Sequence, residues 1–351
     1  MLKGLTWDHP RGFNALDAAS KRLDLTWDKH SLEGFETHPI ADLCARYDLV
    51  VLDHPHVGEA VAADCLQPLE DVFTAEEIAG WARDCIGPSL ASYHYAGRHW
   101  ALPLDAATQV MACRADLMET VPVTWKDVLA APSLVMSLSG PHAALTFQSI
   151  CASLGDRCGG RSFVSHDTGE EAFDLLARLA AKSPARLRDA NPIAILQYLC
   201  DHDDIALCPL VYGYVNYATR LRFANAPSGP GGIGSTLGGT GIGISKKCEL
   251  TPELLDHLRW LMSPDAQIAF IPAHDGQPSL RAAWRDDGVN GRWGDFYRNT
   301  FDTLEAAYVR PRHDGAIRFQ TAASQRLRDA LYDGRTRNLI DDVNALYEAT
   351  L

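Results

Sequence analysis

Apolar residues in the first hundred positions follow two habits. Short runs, as in "LKGLTWD", "RLDLTWD" and "YDLVVLDHP", are too brief for helices and end in turn residues, which predicts strands. Between them apolar positions recur at helical spacing, as with Ile40, Leu43 and Cys44 in "THPIADLCARY". Asn14 with Asp17 three residues on predicts a capped helix start, the helix running to about Arg22. The unbroken Leu-Val-Val-Leu of 49–52 is what a strand covered on both faces looks like. Strands alternating with helices predict right-handed βαβ units and an open parallel sheet.

The pattern changes at "RHWALPLDAATQVMACRADLM" (98–118), where apolar residues run on for longer than one ordinary strand. That suits a segment leaving one sheet for another. "SLVMSLSGPHAALTFQSICASLG" (133–155) predicts strand, turn and helix, with Ser139-Gly140-Pro141-His142 as the turn. "TGEEAFDLLARLAAK" and "PIAILQYLCD" predict helices, and "DIALCPLVYGYVNYA" a strand followed by an aromatic-rich turn. The glycine tract 227–245 lacks the Gly-Lys-Ser/Thr ending of a phosphate loop, so it predicts a flexible return connection into the strand "TGIGIS". Residues 252–271 and 317–350 are mostly helical in pattern.

Composition narrows the function more than the fold. A net charge of −13 argues against nucleic acid, whose phosphates need Lys and Arg, and equally against an anionic membrane surface. No apolar run approaches the ~20 residues of a membrane span. Nine cysteines without a Cys-x-x-Cys pair suit free thiols in a reducing compartment. "MLKGLTWDHP" opens directly on strand-like residues with no signal-peptide pattern. The expectation is a cytoplasmic protein, or a periplasmic one if a leader has been removed.

Several phrases then fall into a familiar order. Gly97–Pro103 reads "GRHWALP", Arg114–Leu117 is followed by "PVTWKDV" at Pro122–Val128, and Ser263–Gln267 reads "SPDAQ". In this order, over about residues 45–270, the chain resembles the extracellular solute-binding proteins (family 1) of ABC importers. The resemblance implies a two-lobed, periplasmic-binding-protein type II α/β fold of mixed, mainly parallel sheets. It implies a hinged "Venus flytrap" with a small sugar, polyol or organic acid held between the lobes. On that basis lobe 1 is expected to comprise residues 1–107 and 240–315, and lobe 2 residues 108–239. The helices of 316–351 are expected to pack on the lobes. A transporter permease is an expected partner only if the protein is exported.

Candidate chemistry gathers where the strands end. Trp7-Asp8-His9, Trp27-Asp28, Asp53-His54 and Leu104-Asp105 all close strands, and in open α/β sheets ligands bind beyond the carboxyl ends. One reading makes Asp8 and Asp53 helix caps. A second makes Trp7 and Trp27 stacking surfaces, with Asp8, His9, Arg11, Asp53, His54 and Asp105 bonding ligand hydroxyls or acids. A third, enzymatic, reading makes His9 or His54 a general base oriented by Asp8 or Asp53. From the other lobe Ser139, His142, Tyr212, Tyr214 and Tyr217 are candidates, and Gln277 lies in the polar loop "HDGQPSL". Arg11 pairs either with Asp8 or with a ligand carboxylate, and Arg310 and Arg312 flank a proline from which both can point one way. Tight metal-ligand spacing and a nucleophile elbow are both missing, so no metal or other cofactor is expected.

Overall fold

A computed structural model describes residues 1–21 and 23–351, and the side chains of all of these except 33, 36 and 37. The principal strands are, in chain order, β1 (Leu2–Trp7), β2 (Leu25–His30), β3 (Leu49–Leu52), β4 (Leu102–Cys113), β5 (Leu207–Tyr212) and β6 (Leu237–Ser245). The chain divides into two compact units. The first comprises residues 1–106, 238–292 and 312–315, the second 107–237, 293–311 and 316–351.

In the first unit β1 pairs in parallel with β2 and β3, and β3 pairs antiparallel with β6, giving a mixed sheet ordered β2-β1-β3-β6. All four residues of β3 are buried, because helices and loops cover both of its faces. The Leu-Thr-Trp-Asp repeated at 5–8 and 25–28 does not align in the sheet. Leu5 sits opposite Asp28, Trp7 opposite His30, and Trp27 opposite Gly4. Gly4 is glycine for a local reason: a Cβ there would lie 2.4 Å from the Trp27 ring.

Helix α1 (Pro10–Ser20) starts earlier than the Asn14 expectation. Proline at the first helical position needs no N–H partner, and His9 Nδ1 accepts from the Arg11 N–H at 3.1 Å, so the cap forms at His9. Arg22, where that helix was expected to end, lies outside the described residues. Helices α2 (Leu32–Thr37), α3 (Ile40–Arg46) and α4 (Val57–Ala62) complete this part of the unit.

In the second unit β4 pairs antiparallel with β5 and with the short strand Arg222–Ala224. Helices α5 (His142–Leu154), α6 (His166–Lys182), α7 (Phe296–Glu305), α8 (Ala316–Tyr332) and α9 (Leu339–Glu348) lie in the same unit. Residues 293–311, expected in lobe 1, belong here. Phe296 of α7 meets Phe223 edge to face at 4.9 Å, and Thr303 accepts the Ala226 N–H. The C-terminal helices likewise join this unit's core, with Phe319, Leu327, Leu339 and Val343 buried among Phe147, Phe163 and Phe173. The glycine tract forms a small hairpin, Ser228–Gly229 against Gly232–Ile233, before β6.

Candidate functional site

The first unit gathers a polar cluster around the ends of β1 and β3. Arg11, in the first turn of α1, reaches Asp105 on β4 with a two-pronged bond. Its Nε donates to Oδ2 at 2.8 Å, and a terminal nitrogen donates to Oδ1. Both side chains are 4% exposed. Burial pushes the Asp105 carboxyl up, the Arg11 guanidinium opposes this, and the charge of Asp53 adds to the rise. That electrostatic reach places Asp53 in the same neighbourhood.

Asp53 caps the turn His54–His56 by accepting the His54 N–H at 2.8 Å, and its carboxylate lies 3.1 Å from His54 Nδ1. His54 is fully buried and meets Tyr93 edge-on. Asp53 itself keeps about a fifth of its side chain open. Gln277 is buried and donates to the Ala106 carbonyl at 3.0 Å. The two Asp-His-Pro tripeptides each lead into a helical turn but one residue out of phase, capped by His9 in the first and by Asp53 in the second.

Other strand-end candidates take structural posts. Asp8 is exposed and pairs with Lys29 at 2.6 Å. His9 spends Nδ1 on the helix cap, and burial followed by the Arg11 charge lowers its pKa to about 4. The indoles expected to stack on a ligand lie in the hydrophobic core instead, Trp7 3% and Trp27 8% exposed. Gly12 packs so closely on Trp7 that a Cβ would come within 2.4 Å of the ring, and Phe35 covers Trp7 from 5.2 Å.

The second unit carries a cluster of its own. His142, at the start of α5, is fully buried and edge-on to Tyr212 at 5.9 Å. Burial first and then the Arg310 charge push its pKa down to about 3. The Tyr212 hydroxyl lies 3.2 Å from Thr236 Oγ1. Behind it Gln109 Oε1 accepts from Ser149 at 2.6 Å and from Thr236 at 3.2 Å, while Gln109 Nε2 donates to Thr146. Ser139 is buried and its carbonyl accepts the His142 N–H. Tyr214 is buried in its turn. Tyr217 sits within reach of the charges of Asp201 and Arg220 and, with burial first, has its phenol pKa raised. Arg310 is buried, donating to the Leu237 carbonyl and to Gln320, whereas Arg312 belongs to the first unit and donates to the Ala91 and Ser92 carbonyls.

Sequence reasoning missed Gln109, Thr146, Ser149 and Thr236. The available signal was Thr108-Gln109 inside an otherwise apolar twelve-residue strand, since buried polar groups in a strand need partners. Among the described residues no group of three or more His, Cys, Asp or Glu could hold a metal ion, and no helix is long and apolar enough to cross a membrane.

The family model for bacterial extracellular solute-binding proteins matches residues 40–283. No curated protein sequence matches the chain. Among solved structures, a ribitol-bound ABC transporter solute-binding protein from Agrobacterium radiobacter K84 superposes with a TM-score of 0.81 at 18% identity, covering 100% of this chain and 98% of its own. Maltose-bound MalE3 of T. maritima has a TM-score of 0.81 at 16% identity, covering 100% and 99%. A mannitol-bound relative from Agrobacterium vitis S4 has a TM-score of 0.77 at 15% identity, covering 99% and 97%. At these identities the structural likeness speaks to the fold, that of the two-lobed solute-binding proteins.

Proposed function

From the premise that the chain belongs to the bacterial extracellular solute-binding proteins, we propose that it binds a small polyhydroxylated molecule, a sugar or polyol, and releases it unchanged. The observation that carries this reading is the Asp53 carboxylate, part open at the end of β3 and fixed by the His54 N–H. A fixed carboxylate accepts hydrogen bonds from neighbouring hydroxyls without paying side-chain entropy at the moment of binding. Asp105 is already satisfied by Arg11, so that pair supports the floor of the cluster rather than meeting solvent. Ribitol and mannitol in related structures point to the same ligand class. Capture is favoured over acid–base turnover by His9, whose ring is engaged as a helix cap.

The closing of two lobes over the ligand, and delivery to a permease if the protein is exported, belong to the same proposal and rest on the family. The compartment is proposed on separate ground, against the family's extracellular habit: nine free cysteines among the described residues support a reducing, cytoplasmic setting. Cell fractionation against a periplasmic marker tests this, and recovery with that marker reverses it.

Titration calorimetry with ribitol, D-mannitol, maltose and a small dicarboxylate tests the ligand class. We expect a polyol or sugar to bind, and Asp53→Ala to weaken it by about 10–100-fold, the range for losing a charged hydrogen-bond partner. Preference for the dicarboxylate, or unchanged affinity in Asp53→Ala, overturns the reading.

A further inference from the structure

In the first unit His94–Tyr95 pairs antiparallel with Arg98–His99, across a two-residue turn in which Ala96 and Gly97 both take positive φ, 50° and 80°. His94 stands directly opposite His99. The next rung of the ladder is the Trp100 N–H donating to the Tyr93 carbonyl at 3.1 Å. The histidines therefore occupy a non-hydrogen-bonded pair, the position at which facing side chains come closest. Their ring centroids are 4.8 Å apart, the planes inclined at 60°. The hairpin is anchored, because the Tyr93 hydroxyl donates to the Leu52 carbonyl at 3.2 Å and the Trp100 indole to the Tyr95 carbonyl at 2.8 Å. Glu70 then fixes one ring: it accepts the His99 backbone N–H at 3.0 Å, and its Oε1 lies 2.8 Å from His99 Nδ1. An ionised carboxylate can only accept, so in the neutral ring Nδ1 carries the proton and Nε2 keeps its lone pair. That is how a carboxylate orients a metal-binding imidazole. His94 is exposed, and His99 keeps 19% of its side chain open to solvent. Arg98, the cation on this hairpin, is paired with Asp71 and lies 3.7 Å from Glu70.

We propose that His94 and His99 together bind one divalent transition-metal ion of the kind imidazole prefers, nickel, copper or zinc, with Glu70 as the positioning carboxylate. Two imidazoles side by side on one ion, each nitrogen at about 2.1 Å, bring their centroids to roughly 5 Å, close to the separation observed. Their spacing of five residues matches no helix face, and only the tight turn between them makes them neighbours. Two imidazoles are fewer ligands than a structural or catalytic zinc site takes from its protein, so water completes the coordination and the ion is held reversibly. The site uses neither Asp53 nor Asp105 and stands apart from the sugar-binding reading.

The test is titration calorimetry of the untagged full chain, stripped with EDTA, against nickel chloride. We expect one nickel ion per chain, and a loss of about tenfold or more in affinity in His94→Ala and in His99→Ala. Glutamine keeps the acceptor oxygen of Glu70 but not its charge. Glu70→Gln should therefore leave the metal-free Tm in place while binding nickel about tenfold more weakly. A second readout needs no variant: copper-and-ascorbate oxidation of the wild-type chain, mapped by peptide mass, should modify His94 and His99 ahead of the other histidines. No nickel binding, full affinity in either histidine variant, or oxidation centred on other histidines overturns the site. Wild-type affinity in Glu70→Gln overturns the positioning role.

Discussion

Arg11 and Asp105 are joined across 94 positions of sequence, and both are almost wholly removed from water. Two charges buried together gain little net stability, but removing one strands the other. Arg11→Met should therefore destabilise the protein by about 3–5 kcal/mol in urea unfolding, and adding Asp105→Leu should recover much of that. A loss below about 1 kcal/mol for the single variant would show that water reaches the carboxylate. His142 sets an acid limit in the other unit. Its pKa is depressed from 6.5 to about 3, so between those values the unfolded chain takes up a proton that the folded chain refuses. Stability should thus fall as pH drops from about 6.5 towards 3, by a few kcal/mol in all, and the fall should be shallower in His142→Gln. Tm measured across that range checks the sign. At this scale the sequence was only half legible. The cap by Asp53 was one of the readings on offer, because a carboxylate commonly caps the turn after a strand, but the partner of Arg11 depends on a fold-level meeting that spacing cannot display.

Elements were easier to read where burial on both faces leaves a simple pattern, as in β3, and harder where one residue decides a boundary. The start of α1 turned on His9 and Pro10 rather than on Asn14, because the proline fixes the first helical position and the imidazole nitrogen is there to cap it. The tryptophans misled for a related reason. An indole beside a carboxylate looks like a ligand platform, yet Gly4 and Gly12 provide flat backbone seats that draw both rings into the core. Gly12→Ala should push a methyl against the Trp7 ring and cost about 1–3 kcal/mol, with partial rescue by Trp7→Leu. Paired denaturation curves of the single and double variants measure that coupling, and simple additivity would mean the ring is free to move aside.

Across the whole molecule, the unusual length of the apolar segment at 98–118 was legible, and β4 holds residues of both units, but the change of sheet it suggested is not there, since the strand lies in one eight-stranded sheet. What stayed hidden was the allegiance of the last sixty or so residues, since amphipathic helices advertise an apolar face but not the surface it covers. With Phe319, Leu327, Leu339 and Val343 in the core of the second unit, truncation after residue 315 should abolish cooperative unfolding of that unit, as seen by calorimetry. The interleaved order of the chain has a consequence during synthesis. β3 finds one neighbour, β1, almost at once, but its other neighbour, β6, begins only at Leu237. At ribosomal speeds of ~5–20 residues per second, the apolar edge of β3 waits on the order of ten seconds or more for its antiparallel partner. An open edge of that composition invites pairing with a neighbouring nascent chain. The yield of native protein should therefore depend on chaperones that shield the emerging polypeptide, more than on the stability of the finished fold.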